Sequence, residues 1–180
     1  QRLVPLQFVS WGHPITTGLR NIDYFLSGQL IEGVESENHY REKLIKLPGT
    51  GCVTNFENQR SKPGNWERRF FPRNEPTFII PQNPFKFHPN NDQLLLQIAK
   101  AVPRGIFLIP ENKKYPGSIE KIFIRLQDIF SRHDVPFRGR FVTFPRMKNE
   151  EFLSLLEKAD IYLDLPTFSG FTTAWKGVNC

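Results

Sequence analysis

At 180 residues, with 39% hydrophobic and 13% aromatic side chains, the chain can bury a substantial core and falls outside the disordered class. A formal charge of +6 and a pI near 9.5 admit an anionic ligand, but the lysines and arginines are scattered and no helix carries a continuous basic face, which argues against nucleic acid as a partner. Cys52 and Cys180 have neither metal-ligand spacing nor a disulfide framework, and no apolar run reaches membrane-spanning length, so a reducing cytoplasmic setting without a membrane partner is expected.

The chain opens at Gln1-Arg2-Leu3-Val4-Pro5 without Met and stops at Gly177-Val178-Asn179-Cys180, soon after a helix start, so a piece of a longer protein is expected. Leu6-Gln7-Phe8-Val9-Ser10-Trp11 has strand composition and is broken by Gly12-His13-Pro14. Ile15-Thr16-Thr17-Gly18 forms a loop rich in hydroxyls, and Ile22-Asp23-Tyr24-Phe25-Leu26 is a second short strand. Glu35 to Tyr40 predicts a short helical turn, and Lys43-Leu44-Ile45-Lys46-Leu47-Pro48 alternates like an exposed strand. From Asn55 to Pro76 the pattern lapses, and a polar run leads into Trp66 and the cluster Arg68-Arg69-Phe70-Phe71. A run of that length without structure is uncommon inside one compact domain, so residues 55–76 are read as a linker or crossover whose aromatics dock on a neighbouring domain. That cluster and the net charge are the sole support for an RNA-binding module, and no aromatic platform motif accompanies them.

A cleaner repeat starts at Thr77-Phe78-Ile79-Ile80-Pro81, a continuous apolar run of the kind covered by helices on both faces. Leu95, Ile98, Ala99 and Val102 fall at helical spacing after the cap candidates Asn90-Asn91-Asp92. Gly105 to Pro110 is the next strand, followed by a helix marked by Ile119, Ile122, Phe123, Leu126 and Phe130, with Ser118 as its N-cap. Phe141 to Pro145 is a third strand, and Phe152, Leu155, Leu156 and Ala159 stripe the helix after it, capped by Asn149. Ile161 to Leu165 is the fourth strand, and a Pro- and Gly-containing loop leads to a helix starting at Thr172-Thr173. This alternation predicts half of an open parallel sheet with right-handed crossovers, whose ligands bind outside the carboxyl ends of the strands. No Gly-rich dinucleotide fingerprint follows any strand, which argues against a nicotinamide or flavin enzyme.

Three loops carry candidate chemistry. Pro81 to Pro89 places Lys86 between Phe85 and Phe87, with Asn83 nearby; a lysine there can face a diphosphate or be an ordinary surface cation. Pro145-Arg146-Met147-Lys148-Asn149 offers two cations and backbone able to grip a base edge, or a solvated helix-capping loop. Gly170 and the paired Thr172-Thr173 offer amides and hydroxyls at a positive helix start, suited to phosphate, although an ordinary Thr cap uses the same residues. His39 and His133 stand alone as surface residues, and Glu150-Glu151 diverge on a helix.

Trp11-Gly12-His13-Pro14-Ile15-Thr16-Thr17-Gly18, Ile22 to Leu26, His39-Tyr40-Arg41-Glu42-Lys43-Leu44 and Leu47-Pro48-Gly49 occur in order. Asn83-Pro84-Phe85-Lys86, Phe144-Pro145-Arg146-Met147, Ala159 to Asp164 and Gly170-Phe171-Thr172-Thr173 follow them. Together they resemble the O-linked N-acetylglucosamine transferase family, glycosyltransferase family 41, including its bacterial tetratricopeptide-repeat members. The resemblance implies an α/β fold of GT-B type: Rossmann-like parallel sheets with flanking helices, in two domains facing a cleft. Residues 1–54 would end the first domain, 55–76 would connect, and 77–180 would form most of the second, nucleotide-sugar-binding domain. It implies an inverting, metal-independent transferase without a cofactor, moving a sugar from UDP-N-acetylglucosamine or a related nucleotide sugar to Ser or Thr of a protein or peptide.

By motif match, Lys86 would contact the diphosphate and stabilise the leaving nucleotide, with Asn83 beside it. The backbone near Met147 would meet the base, with Arg146 also among the nucleotide-binding residues, and Gly170, Thr172 and Thr173 would receive the phosphates. Gly12, His13 and Pro14 would line the sugar side from the other domain. The family's usual catalytic His belongs to an upstream part outside these residues, so this stretch alone is expected to be inactive. Two positions depart from the family pattern: Lys176 stands where an acidic residue commonly binds the ribose, and Asn149 where a His is common. A GT-B-like domain that binds nucleotide or peptide without catalysis is the alternative.

Overall fold

The computed structural model describes residues 1–10, 12–53, 60–64, 70–71 and 75–180; Trp11, Trp66, Arg68 and Arg69, named above, lie outside them. The chain divides into two compact units, Gln1–Asn55 and Phe56–Cys180.

In the first unit three short strands, β1 (Phe8–Ser10), β2 (Tyr24–Gly28) and β3 (Lys43–Leu47), pair in parallel in that order. Phe25 on the central strand is fully buried, with the Tyr40 ring 4.4 Å away. The helical turn expected near Glu35–Tyr40 is a 3-10 turn at Ser36–His39. β3 is not the alternating exposed strand its sequence suggested: Leu44 to Leu47 are all half-buried. The reason is local, because residues 29–33 fold back over the strand end, with Gln29 N–H donating to Leu47 O (2.9 Å) and Lys46 Nζ to Gly33 O (3.3 Å). Here backbone crosses backbone, and a Cβ on Gly28 would lie 2.2 Å from the Thr50 carbonyl carbon, so only glycine fits.

The second unit is a four-stranded parallel sheet of β4 (Thr77–Ile79), β5 (Ile106–Pro110), β6 (Phe141–Phe144) and β7 (Ile161–Tyr162), in the order β6-β5-β4-β7. Four helices complete it: α1 (Asp92–Ala101), α2 (Gly117–Arg132), α3 (Asn149–Lys158) and α4 (Thr172–Val178). The continuous apolar strands are explained by burial on both faces, since side chains alternate along a strand. Phe78, Ile80, Phe107 and Ile109 pack on Leu95, Leu96 and Ala99 of α1 and on Ile119, Ile122, Leu126 and Phe130 of α2. Ile79, Leu108 and Phe144 point the other way, onto Leu155 and Leu156 of α3. A row of stacked rings, Phe78–Phe107 (5.1 Å) and Phe107–Phe141 (4.8 Å), ties three neighbouring strands, and burial of Phe78 and Phe107 stabilises the unit by about 2–3 kcal/mol each.

Several local expectations change. Ser118 does not cap α2: Pro116, with φ preset for a helix, takes the cap position, and Ser118 Oγ donates to Tyr115 O (2.7 Å) inside the first turn. Asn149 is the first helical residue of α3 rather than its cap, and the Glu151 carboxylate accepts from Lys148 N–H (3.3 Å) instead. Asn91 precedes α1 but its side chain makes no cap bond; it is used elsewhere. Phe70, expected to dock from a linker, is buried in the second unit's own core beside Ile79, Leu108 and Phe144. Among the described residues no helix is long and apolar enough to cross a membrane.

Candidate functional site

Numbered within the second unit, its strands run 3-2-1-4, so the strand order reverses between β4 and β7. In parallel sheets a reversal of this kind marks the edge where connections leave in opposite senses and ligands are held. β4 runs through buried Pro81 and Gln82 to Asn83, whose side chain accepts from Phe85 N–H (3.1 Å) and starts the 3-10 turn Pro84–Lys86. With three residues per turn, neighbouring side chains diverge by about 120°. Phe85 therefore turns toward Tyr115, ring centroids 4.9 Å apart, while Lys86 turns toward the loop after β7.

There Lys86 Nζ donates to Ser169 O (2.9 Å) and lies 4.4 Å from the centre of the Phe168 ring. Among the described residues no carboxylate pairs with it. An ammonium has three donors and one is used on a neutral carbonyl, so Lys86 retains the capacity to face an anion.

The β7 loop is shaped by Asp164. Its carboxylate accepts from Gly170 N–H (2.8 Å), from Ser169 Oγ–H and from the Gln82 side-chain amide, so one acidic residue holds both ends of the turn and reaches across to the β4 loop. Asn91 Nδ2 donates to Thr167 Oγ1 (2.7 Å), a further tie between the same segments. Gly170 is half-buried against Tyr162, where a Cβ would come within 3.2 Å of the phenol oxygen. Burial first, and the charge of Asp164 second, push the Tyr162 phenol well above its ordinary value, so it stays a neutral donor. Thr172 is exposed and Thr173 half-buried, at the start of α4 where first-turn amides have no intrahelical acceptor.

Lys86 thus meets the loop that leads to Gly170, Thr172 and Thr173, and Asn83 heads the turn that carries it. Arg146 and Met147 follow β6, two strand spacings or roughly 10 Å from β4. Arg146 is exposed, and the Met147 side chain packs on the core under α3. The two positions that depart from the family pattern meet: Lys176 Nζ donates to Asn149 Oδ1, joining α4 to the start of α3. Asp164, Gln82 and Phe168 had no assigned role from sequence, and Asn91, read as a helix-cap candidate, instead ties the β7 loop through Thr167. A lone carboxylate between Leu163 and Leu165, directly past a strand, was the available signal for the first of them.

Gly12, His13 and Pro14 lie exposed in the loop after β1, in the first unit. The return of that loop is anchored by buried Glu42, which accepts from Thr16 Oγ1–H (2.6 Å), Thr17 N–H (2.9 Å) and Thr17 Oγ1–H. Burial alone would raise its pKa, but these hydrogen bonds prevail and hold it down at about 2 against an ordinary 4.5. A depressed carboxylate contributes stability above its unfolded pKa that is lost as pH falls through the folded one. The first unit should therefore weaken from about pH 4.5 toward about 2. Denaturant midpoints measured across this range should fall for the native chain and stay flatter for Glu42→Gln.

No protein-family model matches the chain. A curated relative from Arabidopsis thaliana, named Probable UDP-N-acetylglucosamine--peptide N-acetylglucosaminyltransferase SEC, is 26% identical over 185 residues, covering 97% of this chain and 18% of the relative. The structure of a mutant O-GlcNAc transferase from Thermobaculum terrenum superposes with a TM-score of 0.77 at 21% identity, over 97% of this chain and 32% of that one. The chain thus spans about a fifth of the curated relative and a third of the solved structure. Its fold, parallel sheets with flanking helices, is that of a GT-B O-GlcNAc transferase.

Proposed function

We propose, from the premise that this chain resembles the catalytic region of O-linked N-acetylglucosamine transferases, that its second unit holds the donor of a glycosyltransferase, UDP-N-acetylglucosamine or a related nucleotide sugar. The protein it belongs to would transfer the sugar to Ser or Thr of a protein or peptide. Lys86 on the β4 turn, poised over the β7 loop with no carboxylate partner among the described residues, carries this reading.

When a nucleotide sugar reacts, the bond between the anomeric carbon and the β-phosphate oxygen breaks and negative charge grows on the departing diphosphate. On nucleotide binding, before the bond breaks, Lys86 would leave the Ser169 carbonyl for a phosphate oxygen, and the Thr172 and Thr173 amides and hydroxyls would add neutral donors. Donors fixed before the reaction lower the barrier without reorganising during it, which gives the neutralising role to side chains and a helix start rather than a metal. The base would lie toward Arg146 and the backbone of Met147, with Asn83 beside the nucleotide. Gly12, His13 and Pro14 are proposed for the sugar side, with residues 1–54 closing the first Rossmann-like domain, 55–76 connecting and 77–180 forming the donor domain. The pair Lys176–Asn149 favours a second reading, a GT-B-like domain that binds nucleotide or peptide without transfer, because it places a cation where relatives commonly place a carboxylate.

Calorimetric titration of the intact protein with UDP, GDP and UDP-N-acetylglucosamine tests the site. UDP or GDP should bind with a Kd of roughly micromolar order, the tighter of the two identifying the base. Absence of binding by any nucleotide contradicts the proposal, and tight binding without transfer or hydrolysis selects the second reading.

A further inference from the structure

The turn that aims Lys86 at the β7 loop aims Phe85 the other way, into a cleft of about 510 Å³ within the second unit. Phe85 (65% exposed), Tyr115 (46% exposed), Lys114, Lys121, Ile122 and Arg125 form its walls, and among the described residues no acidic one does. Arg125 is neutralised by Asp92 (2.5 Å) and also donates to Phe87 O (2.8 Å), so it buttresses the floor. Lys114 and Lys121 are exposed, and among the described residues neither pairs with a carboxylate. Lys114 Nζ lies 5.5 Å from the centre of the Tyr115 ring. The cleft therefore presents a pair of part-exposed aromatic rings, in edge contact with each other, beside two positive charges that no carboxylate among the described residues compensates.

A free phosphate would have no use for the aromatic wall, and a membrane surface would need a broad apolar face rather than a recess. A cavity in this size range fits one inserted side chain with its neighbours. We propose that the cleft docks an acidic polypeptide segment, one aromatic side chain packing against the exposed side of the Phe85–Tyr115 ring pair and flanking carboxylates meeting Lys114 and Lys121. Because Phe85 and Lys86 are adjacent, a segment held there runs beside the proposed donor site and is an acceptor anchor. Its role as acceptor rests on the transferase reading; the peptide binding does not.

The test is fluorescence anisotropy of a labelled Glu-Glu-Phe-Glu-Glu peptide with the intact protein, run in parallel with UDP calorimetry. Binding should weaken by about tenfold or more in Lys114→Glu/Lys121→Glu and in Phe85→Ala, and should fall with added salt, while UDP affinity in the lysine double variant stays within about twofold of the native value. Peptide affinity that is absent in the native protein or unchanged in both variants overturns the proposal. So does loss of UDP affinity in the lysine double variant, which would make the cleft part of the nucleotide site. Peptide binding with the expected variant dependence but no UDP binding retains the docking cleft and removes the transferase reading.

Discussion

Replacing Lys86 by Ala in the intact protein is expected to lower sugar transfer by about two to three orders of magnitude, the cost of removing one preorganised donor from a developing negative charge. The fold should hardly register the change. Lys86 makes one hydrogen bond to a neutral carbonyl and one ring contact, and the loops it joins remain tied by Gln82 to Asp164 and by Asn91 to Thr167. Loss of such a half-buried surface side chain alters stability by about 0.5 kcal/mol or less. Paired measurement of turnover and thermal midpoint separates the roles. Turnover equal to that of the native protein removes Lys86 from the chemistry, and a large fall in midpoint makes it structural.

Asp164→Ala should act in the opposite way, on the site's architecture first. Truncation leaves Gly170 N–H and the buried Gln82 amide without their acceptor, and each unsatisfied group costs about 1–3 kcal/mol. A total near 3 kcal/mol is expected, together with a tenfold or greater loss of UDP affinity as the 166–171 turn loosens and the first turn of α4 moves from the rim. Asp164→Asn keeps one oxygen and the side-chain shape, but its amide donor would face another donor, so an intermediate loss is expected. Denaturant midpoints and calorimetry on the same samples check both values. A nucleotide affinity unchanged in Asp164→Ala would show that the β7 loop does not shape the site.

The second unit was largely legible in its sequence because parallel strands buried on both faces need uninterrupted apolar runs, and Phe78 to Ile80 and Phe107 to Ile109 have them. The meeting of Lys86 with the loop before Thr172 was legible for a topological reason, since loops leaving parallel strands emerge at the same edge. What was hidden depended on choices that a linear pattern does not encode. Whether Ser118 or Pro116 heads α2 is decided by a turn that closes onto Tyr115, and whether Phe70 docks or is core depends on the face of α3 it meets. Asp164 acquires its role only because the chain doubles back to bring Ser169 and Gly170 onto it. The cleft beside Phe85 needs the β4 and β5 loops side by side, two segments some thirty residues apart. The first unit was harder to read, because the exposure of β3 is set by residues 29–33 folding back over it.

The strands bring the loops to one edge, Asp164 sets the β7 turn, and Lys86 is the residue proposed to supply charge there. The most direct test is a crystal structure of the intact protein with UDP bound. The diphosphate should lie within about 2.7–3.2 Å of Lys86 Nζ and of amides between Gly170 and Thr173. A diphosphate bound elsewhere, or a Lys86 ammonium still resting on the Ser169 carbonyl with UDP present, would contradict the account.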